Sequence, residues 1–303
     1  MSRVAYLDPR GTFSQAALIE MSHRGLLPAE CDEVDTASTP AALKAVRDGA
    51  ADYACVPIEN SIEGSVSPTL DSLAFESPLQ IYGELVLDVA FSIVTRPGTA
   101  AGDVATIAAF PVAAAQVQRW VSTHLPAATF VPAISNAAAA VDVRDGRADA
   151  GVSTALAAGL YGLDTLAGGV VDESNARTRF VLAGPPGPPP PRTGADRTSV
   201  VLRLDNVPGA LVAAMTEFSI RRIDLTRIES RPTRTELGTY VFFLDCVGHL
   251  EDDSVAEALK ALHARCTDVR YLGSWPTETP VGALPPVTEE ATGWLQRLRE
   301  GDR

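Results

Sequence analysis

The chain has 303 residues and a formal net charge of −13, from 25 Lys and Arg against 38 Asp and Glu. That excess of acid repels a polyphosphate backbone and excludes nucleic acid as a partner class. With 46% hydrophobic and 21% charged residues the composition is that of a globular protein with a sizeable core, and the length implies two domains or three.

The first fifteen residues contain no apolar h-region, so no signal peptide is expected. No run approaches the ~20 uncharged apolar residues of a membrane span, so a cytoplasmic protein is expected. An anionic substrate must then be held by local features: helix N-termini, amides and one or two Arg.

In chain order, 4–7 reads as a strand, followed by a loop and a helix from about Ser14. Residues 34–36 form a weak strand, and 41–47 a helix entered through Thr39-Pro40. A buried strand over 53–56 ends in a loop over 57–67, and two longer strands span 82–94. A second, similar set follows: strand 107–109, helix 113–124, strand 129–131, helix 137–143 and strand 150–152. Strand–helix alternation of this kind implies two α/β lobes with largely parallel sheets, facing one another across a ligand-binding cleft. The second lobe is expected over about 80–172, and the strand 178–182 returns to the first.

Residues 184–192, Gly-Pro-Pro-Gly-Pro-Pro-Pro-Pro-Arg, cannot form helix or central strand and read as a polyproline II spacer. After it come strand 199–204, a helix with Leu211, Met215 and Phe218 at helical spacing, strands 225–230 and 239–246, a helix with Val255, Leu259 and Leu262, and strand 269–273. The order βαββαβ is ferredoxin-like. The tail from Thr277 is rich in Pro and Glu, and only Trp294 suggests that it docks.

Four cysteines are present, with no CxxC among them. Cys246-x2-His249 and His263-x2-Cys266 have a zinc-like spacing, but both cysteines sit at positions that read as core, so no metal is expected. With no Rossmann fingerprint or P-loop, no nucleotide cofactor is expected either.

Several segments can carry chemistry. In Gly11-Thr12-Phe13-Ser14, Thr12 or Ser14 can cap the following helix, whose amides would suit a carboxylate. Pro57-Ile58-Glu59-Asn60-Ser61 leaves the end of a buried strand, where open α/β sheets place ligands. By alternation Thr178 and Phe180 share one face of their strand and Arg179 the other. Arg179 can pin a substrate carboxylate or pair with Asp172 or Glu173. Gln116 offers an amide on the inner face of a helix, and residues 206–212 make a second helix N-terminus.

Together, Gly11–Ser14, Pro57–Ser61, Thr178-Arg179-Phe180, Gly209-Ala210-Leu211-Val212 and Glu229-Ser230-Arg231-Pro232 resemble the prephenate dehydratase family, over about residues 3–276. The resemblance implies a two-lobed, periplasmic-binding-protein-like catalytic domain at 1–183, a Pro-rich linker at 184–197, an ACT regulatory domain at 198–277 and a tail at 278–303. It implies decarboxylating dehydration of prephenate to phenylpyruvate, with Thr178 as the critical hydroxyl and Asn60 orienting substrate. Glu59 is either a proton carrier or a residue that holds its loop. Thr12, Ser14, Ser61, Gln116, Arg179 and Phe180 are implied substrate contacts. Residues Gly209, Ala210, Leu211, Val212, Glu229, Ser230, Arg231 and Pro232 are implied contacts of L-phenylalanine, bound at a seam between the ACT domains of a homo-oligomer (dimer or tetramer). One departure stands out: the family's usual Ser-His-Pro is here Ala109-Phe110-Pro111. Arogenate, the aminated counterpart, is an alternative substrate, and a non-enzymatic amino-acid sensor is an alternative of another class.

Overall fold

The computed structural model describes residues 2–7, 9–27, 30–173, 175–277, 282–283 and 289–301. It divides into two compact units, residues 1–70 with 85–183, and 71–84 with 184–303.

The first unit contains two α/β lobes. The first is built from β1 (Ser2–Leu7), α1 (Phe13–His23), β2 (Cys31–Thr36), α2 (Thr39–Arg47), β3 (Tyr53–Asn60), β4 (Gly64–Ser65), residues 67–70 of α3 (Ser67–Phe75) and residues 85–88 of β5 (Gln80–Asp88), the rest of those two elements belonging to the second unit. The second comprises β6 (Phe91–Thr95), a 3₁₀ turn at Ala101–Asp103, β7 (Thr106–Ala109), α4 (Pro111–Gln116), α5 (Gln118–His124), β8 (Thr129–Pro132), α6 (Asn136–Arg144), β9 (Ala150–Ser153), α7 (Ala155–Tyr161) and β10 (Asp164–Val170). The chain then returns as β11 (Arg177–Gly184) to the first sheet, ordered β2-β1-β3-β11-β5 with β4 on β3. The second sheet runs β10-β6-β9-β7-β8.

Both sheets are mixed rather than largely parallel. β1 is parallel to β2 and β3, and β7 to β8 and β9, but β11 is antiparallel to β3 and β6 to β9 and β10. The strand over Gln80–Asp88 belongs to the first sheet, so the second lobe's sheet starts at Phe91, not at about residue 80. The segment expected as a loop from Pro57 is strand as far as Asn60. There β11 supplies its partners, Thr178 opposite Asn60 and Arg179 opposite Glu59, with an irregularity before Phe180 opposite Pro57. The single helix expected over 113–124 is broken at Val117 (φ −125°). The cap of α5 is tertiary: the Asp172 carboxylate accepts the N–H groups of Arg119 (2.8 Å) and Trp120 (3.2 Å). Such a cap leaves no local signature.

The second unit holds β12 (Asp196–Arg203), α8 (Ala210–Ser219), β13 (Leu225–Pro232), β14 (Tyr240–Val247), α9 (Asp253–Arg265), β15 (Asp268–Pro276) and α10 (Glu289–Glu300). Its sheet is ordered β13-β14-β12-β15, the βαββαβ arrangement. Val200, Leu202, Leu244 and Cys246 pack on one face against Ala214, Phe218, Val255 and Leu262 of α8 and α9. The strandless stretch is 185–195, and it is tied down. Gly187 N–H donates to Gln80 Oε1 (2.9 Å), His249 Nε2 bonds the Pro190 carbonyl (3.0 Å), and Arg192 pairs with Asp252 (2.7 Å). His249 Nδ1 accepts from Glu251 N–H (3.1 Å), so both ring nitrogens are engaged by backbone groups, and burial pushes the Cys246 thiol up to about 12. In the described part of the tail, Thr292 donates to Asp253 (2.6 Å) while Trp294 is exposed; residues 278–281, 284–288 and 302–303 lie outside the described residues. Among the described residues no helix is long and apolar enough to cross a membrane.

Glu217 joins α8 to α9 by accepting from Arg221 and Arg265, both at 2.7 Å. Its carboxyl is held below the ordinary carboxylate range, first by Arg221 and then by Arg265. A depressed folded-state pKa contributes stability above the unfolded value of about 4.3, lost as pH falls through the folded value. Glu217→Gln is therefore expected to lower the urea midpoint at pH 7 and to flatten its fall between about pH 5 and pH 3. Parallel acid limbs for variant and wild type would contradict this.

Candidate active site

The end of β3 and the start of β11 meet side by side, and their hydrogen bonds define the site. Asn60 Oδ1 accepts the N–H groups of Ile62 (2.8 Å) and Glu63 (3.0 Å), an Asx turn that fixes the amide's orientation. Its Nδ2 is thereby aimed across the strands and donates to Thr178 Oγ1 at 2.9 Å. A hydroxyl that accepts one N–H keeps its own proton to donate. Thr178 is 8% exposed, so that proton is presented from a nearly buried position. Asn60 thus acts on the hydroxyl itself, in addition to any contact it makes with a ligand.

Arg179 lies buried beside this pair, with Nε and Nη2 at 3.1 and 2.9 Å from Glu59 Oε2. Its expected alternative partners are taken by another residue, since Arg119 pairs with Glu173 (2.9 Å) and lies against Asp172. Of the two readings of Glu59, the ion pair favours the one in which it holds its segment in place. Ser61 is committed to the backbone: its hydroxyl donates to Asn175 O (3.0 Å) and accepts from Arg177 N–H (2.9 Å). It pins the turn against β11 instead of reaching for a ligand. Phe180 departs from expectation too, because it is 2% exposed in the first lobe's core with Val4, Tyr6 and Leu18.

Thr12 is the N-cap of α1, its Oγ1 accepting from Gln15 N–H (3.3 Å) and donating to Leu7 O (3.1 Å). The hydroxyl is thus spent on the cap, and Ser14, 4% exposed, sits in the first turn, where backbone amides point along the helix axis. Gly11 has φ +92°, and a Cβ there would stand 2.8 Å from Ala157 Cβ of the second lobe. The two lobes meet at this loop: Thr154 Oγ1 donates to Gly11 O (2.6 Å), Tyr161 OH to Arg10 O (2.9 Å), and Phe13 meets Phe91 edge to face at 5.6 Å. The carboxylate-suited end of α1 therefore faces the inter-lobe seam.

Across the seam, Gln116 is 7% exposed and its Oε1 has no hydrogen-bond partner among the described residues. Asn136 Oδ1, in the first turn of α6, is likewise buried and unpartnered. A buried acceptor without a partner costs ~1–3 kcal/mol, so each oxygen is suited to a hydrogen-bond donor on a ligand, such as a hydroxyl. Asn136 and Thr154 were not singled out from the sequence. Their signal was the pair of helix starts, Ser135-Asn136 and Ser153-Thr154, which lead from β8 and β9 into helices as Gly11–Ser14 leads from β1 into α1. Ala109 is buried in the lobe core, and Phe110 sits partly exposed at the start of α4 without a side-chain capping bond.

In the second unit, Gly209 (φ +83°) turns the chain into α8, as its left-handed conformation requires. A cleft of about 140 Å³ is lined by Leu204, Val207, Ala210, Leu211, Tyr240 and Phe242 together with Asp205, Asn206, Gly238 and Thr239. Ala210 and Leu211 are brought to it, whereas Val212 is 69% exposed outside it. Glu229, Ser230, Arg231 and Pro232 end β13 and do not line the cleft. Arg231 is engaged elsewhere, donating through Nε and Nη2 to both carboxylate oxygens of Asp71 at 3.0 Å.

Comparison with known proteins agrees with this layout. The prephenate dehydratase family model matches residues 4–186 and the ACT domain model residues 198–264. The chain is 73% identical over 307 residues to the prephenate dehydratase of Mycobacterium sp. (strain JLS), covering 99% of this chain and 97% of that protein. Among solved structures, the L-phenylalanine complex of prephenate dehydratase from Arthrobacter aurescens superposes with a TM-score of 0.88 at 38% identity, covering 99% and 100% of the two chains. GqqA, described as a novel type of quorum quenching acylase, superposes at 0.81 with 30% identity, over 91% and 98%. Similarity of this extent runs through both the paired strand ends and the βαββαβ domain, and the chain belongs to the prephenate dehydratase family.

Proposed function

We propose that the protein converts prephenate to phenylpyruvate, CO2 and water, and that L-phenylalanine inhibits it by binding to the ACT domain. The observation that carries the catalytic reading is the 2.9 Å hydrogen bond from Asn60 to Thr178. In this reaction the C4–O bond breaks as the ring carboxylate leaves as CO2. The electron pair of the C1–carboxylate bond enters the ring, which becomes aromatic, so the driving force is large. The barrier lies in charge growing on the departing oxygen.

A threonine hydroxyl is a poor acid on its own. With Asn60 donating to its oxygen, Thr178 serves as a positioned donor, passing a proton to the leaving hydroxide and taking one back from solvent. Such a donor contributes ~10²–10⁴-fold. The first-turn amides of α1 and the side-chain N–H group of Gln116 hold the two carboxylates, which fixes the substrate's orientation. This division of labour suits a chain of net charge −13 whose Arg179 is already paired with Glu59.

The similarity to GqqA raises acyl hydrolysis as a second reading. Nucleophilic use of Thr178 would need a base to take its proton, and its partner here is an amide N–H, which donates.

The test is phenylpyruvate formation from prephenate by the purified protein without added metal or nucleotide. Turnover is expected; turnover of arogenate alone would reassign the substrate, and release of acid from an acyl-amide alone would favour the second reading. Phenylalanine binding with no turnover of any of these would favour a sensor. Leu211→Arg, which places a long cation in the ACT cleft, is expected to abolish inhibition by phenylalanine; inhibition at wild-type strength would remove that cleft from the effector site. The exposed Val212, Ile220, Ile228 and Leu237 around α8 and β13 suit a homo-oligomer formed through ACT domains, checked by sedimentation. Four free thiols, two of them buried, fit a reducing cytoplasm.

A further inference from the structure

Helix α3 is shared by the two units, with residues 67–70 in the first and 71–75 in the second. Each half is gripped by a different set of strands. In the second unit, Arg197, Val201 and Arg270 alternate away from the face that packs on α8 and α9, and residues 71–84 meet that opposite face. Both edges of the sheet hold them. From β13, Arg231 makes its two-pronged bond to Asp71, which Arg234 also contacts. From β15, Arg270 Nη1 donates to the carbonyls of Leu73 and Glu76, both at 2.7 Å, capping the end of the helix. Glu84 pairs with Arg197 at 3.2 Å.

The other half of α3, with Val66 just before it, holds β3, the strand that carries Asn60 and through it the hydrogen bond to Thr178 on β11. Thr69, fully buried, donates from Oγ1 to Pro57 O (2.7 Å), and Val66 N–H donates to Ile58 O (3.0 Å), immediately before Glu59 and Asn60. A helix of nine residues is a rod of ~13 Å.

We propose that α3 is the lever that carries phenylalanine binding at the ACT sheet to the Asn60–Thr178 pair, with the Asp71–Arg231 ion pair as its coupling. This rests on phenylalanine being the effector, as proposed above. A two-pronged carboxylate–guanidinium contact fixes direction as well as distance, so a displacement of β13 relative to β15 must move the helix or break the pair. Close packing at both ends makes a transition between discrete positions the available response. Breaking the coupling should separate binding from its consequence, because the effector acts only through a difference between the two states.

The experiment is Asp71→Asn in the full chain, with phenylalanine affinity measured by calorimetry and prephenate turnover measured with and without phenylalanine. Affinity and uninhibited turnover are expected within about threefold of wild type, while the phenylalanine concentration giving half inhibition rises at least about tenfold. Asp71→Glu, which keeps the charge, is expected to recover much of the inhibition. Inhibition of Asp71→Asn at wild-type concentration overturns the proposal. Should that variant fail to fold, Arg270→Gln loosens the grip of the other edge and is read the same way: weakened inhibition supports the lever and unchanged inhibition overturns it. A wild-type protein that binds no phenylalanine overturns the effector reading and the lever with it, and is recognised before any variant is made.

Discussion

Thr178→Ala is expected to lower kcat for prephenate by about 10²–10⁴-fold with KM changed little, the signature of an interaction made in the transition state alone. The hydroxyl's acceptor side is already occupied by Asn60 at 2.9 Å, so its value lies in the proton it offers when the C4 oxygen departs. Thr178→Ser keeps the donor, and most of the rate should remain. Asn60→Leu removes the orienting N–H and also strips the acceptor that organises the N–H groups of Ile62 and Glu63, so its loss should combine rate and local order. If Thr178→Ala lost less than about tenfold, the hydroxyl would not be the donor, and the first-turn amides of α1 would be the next group to examine.

Gly273→Ala is expected to destabilise the protein by about 2–4 kcal/mol, read as a fall in urea midpoint. Gly273 has φ +138°, and an added Cβ would stand 2.3 Å from the Ile81 carbonyl oxygen, a collision of backbone with backbone that no side-chain rotation relieves. Gly209 is the control. At φ +83° it has open space around the Cβ position, so Gly209→Ala should cost only the left-handed backbone strain, about 1–2 kcal/mol. Equal costs at the two positions would mean that β15 can shift away from residue 81. In that case the grip on residues 71–84 would be looser than its hydrogen bonds suggest.

Alternation and helical spacing determined by themselves the strand–helix order of the second unit, the two α/β sets of the first and the turn at Gly209. These features are local: a face that must be buried repeats every two residues in a strand and every three or four in a helix. Thr178 and Asn60 could be named from their motifs, but nothing in either segment says that one amide proton binds the other's oxygen. They are 118 residues apart, and the contact exists because β11 returns antiparallel to β3. For the same reason Pro57–Asn60 read as a loop, since its ladder partners lie on a distant strand. The Asp172 cap that breaks the helix at Val117, the ion pair that takes Arg231 away from the cleft beside α8, and the core position of Phe180 also came from tertiary structure alone. Each depends on a hydrogen-bond or packing partner supplied from elsewhere in the chain. Side-chain periodicity reports which face is buried but not which distant group will meet it.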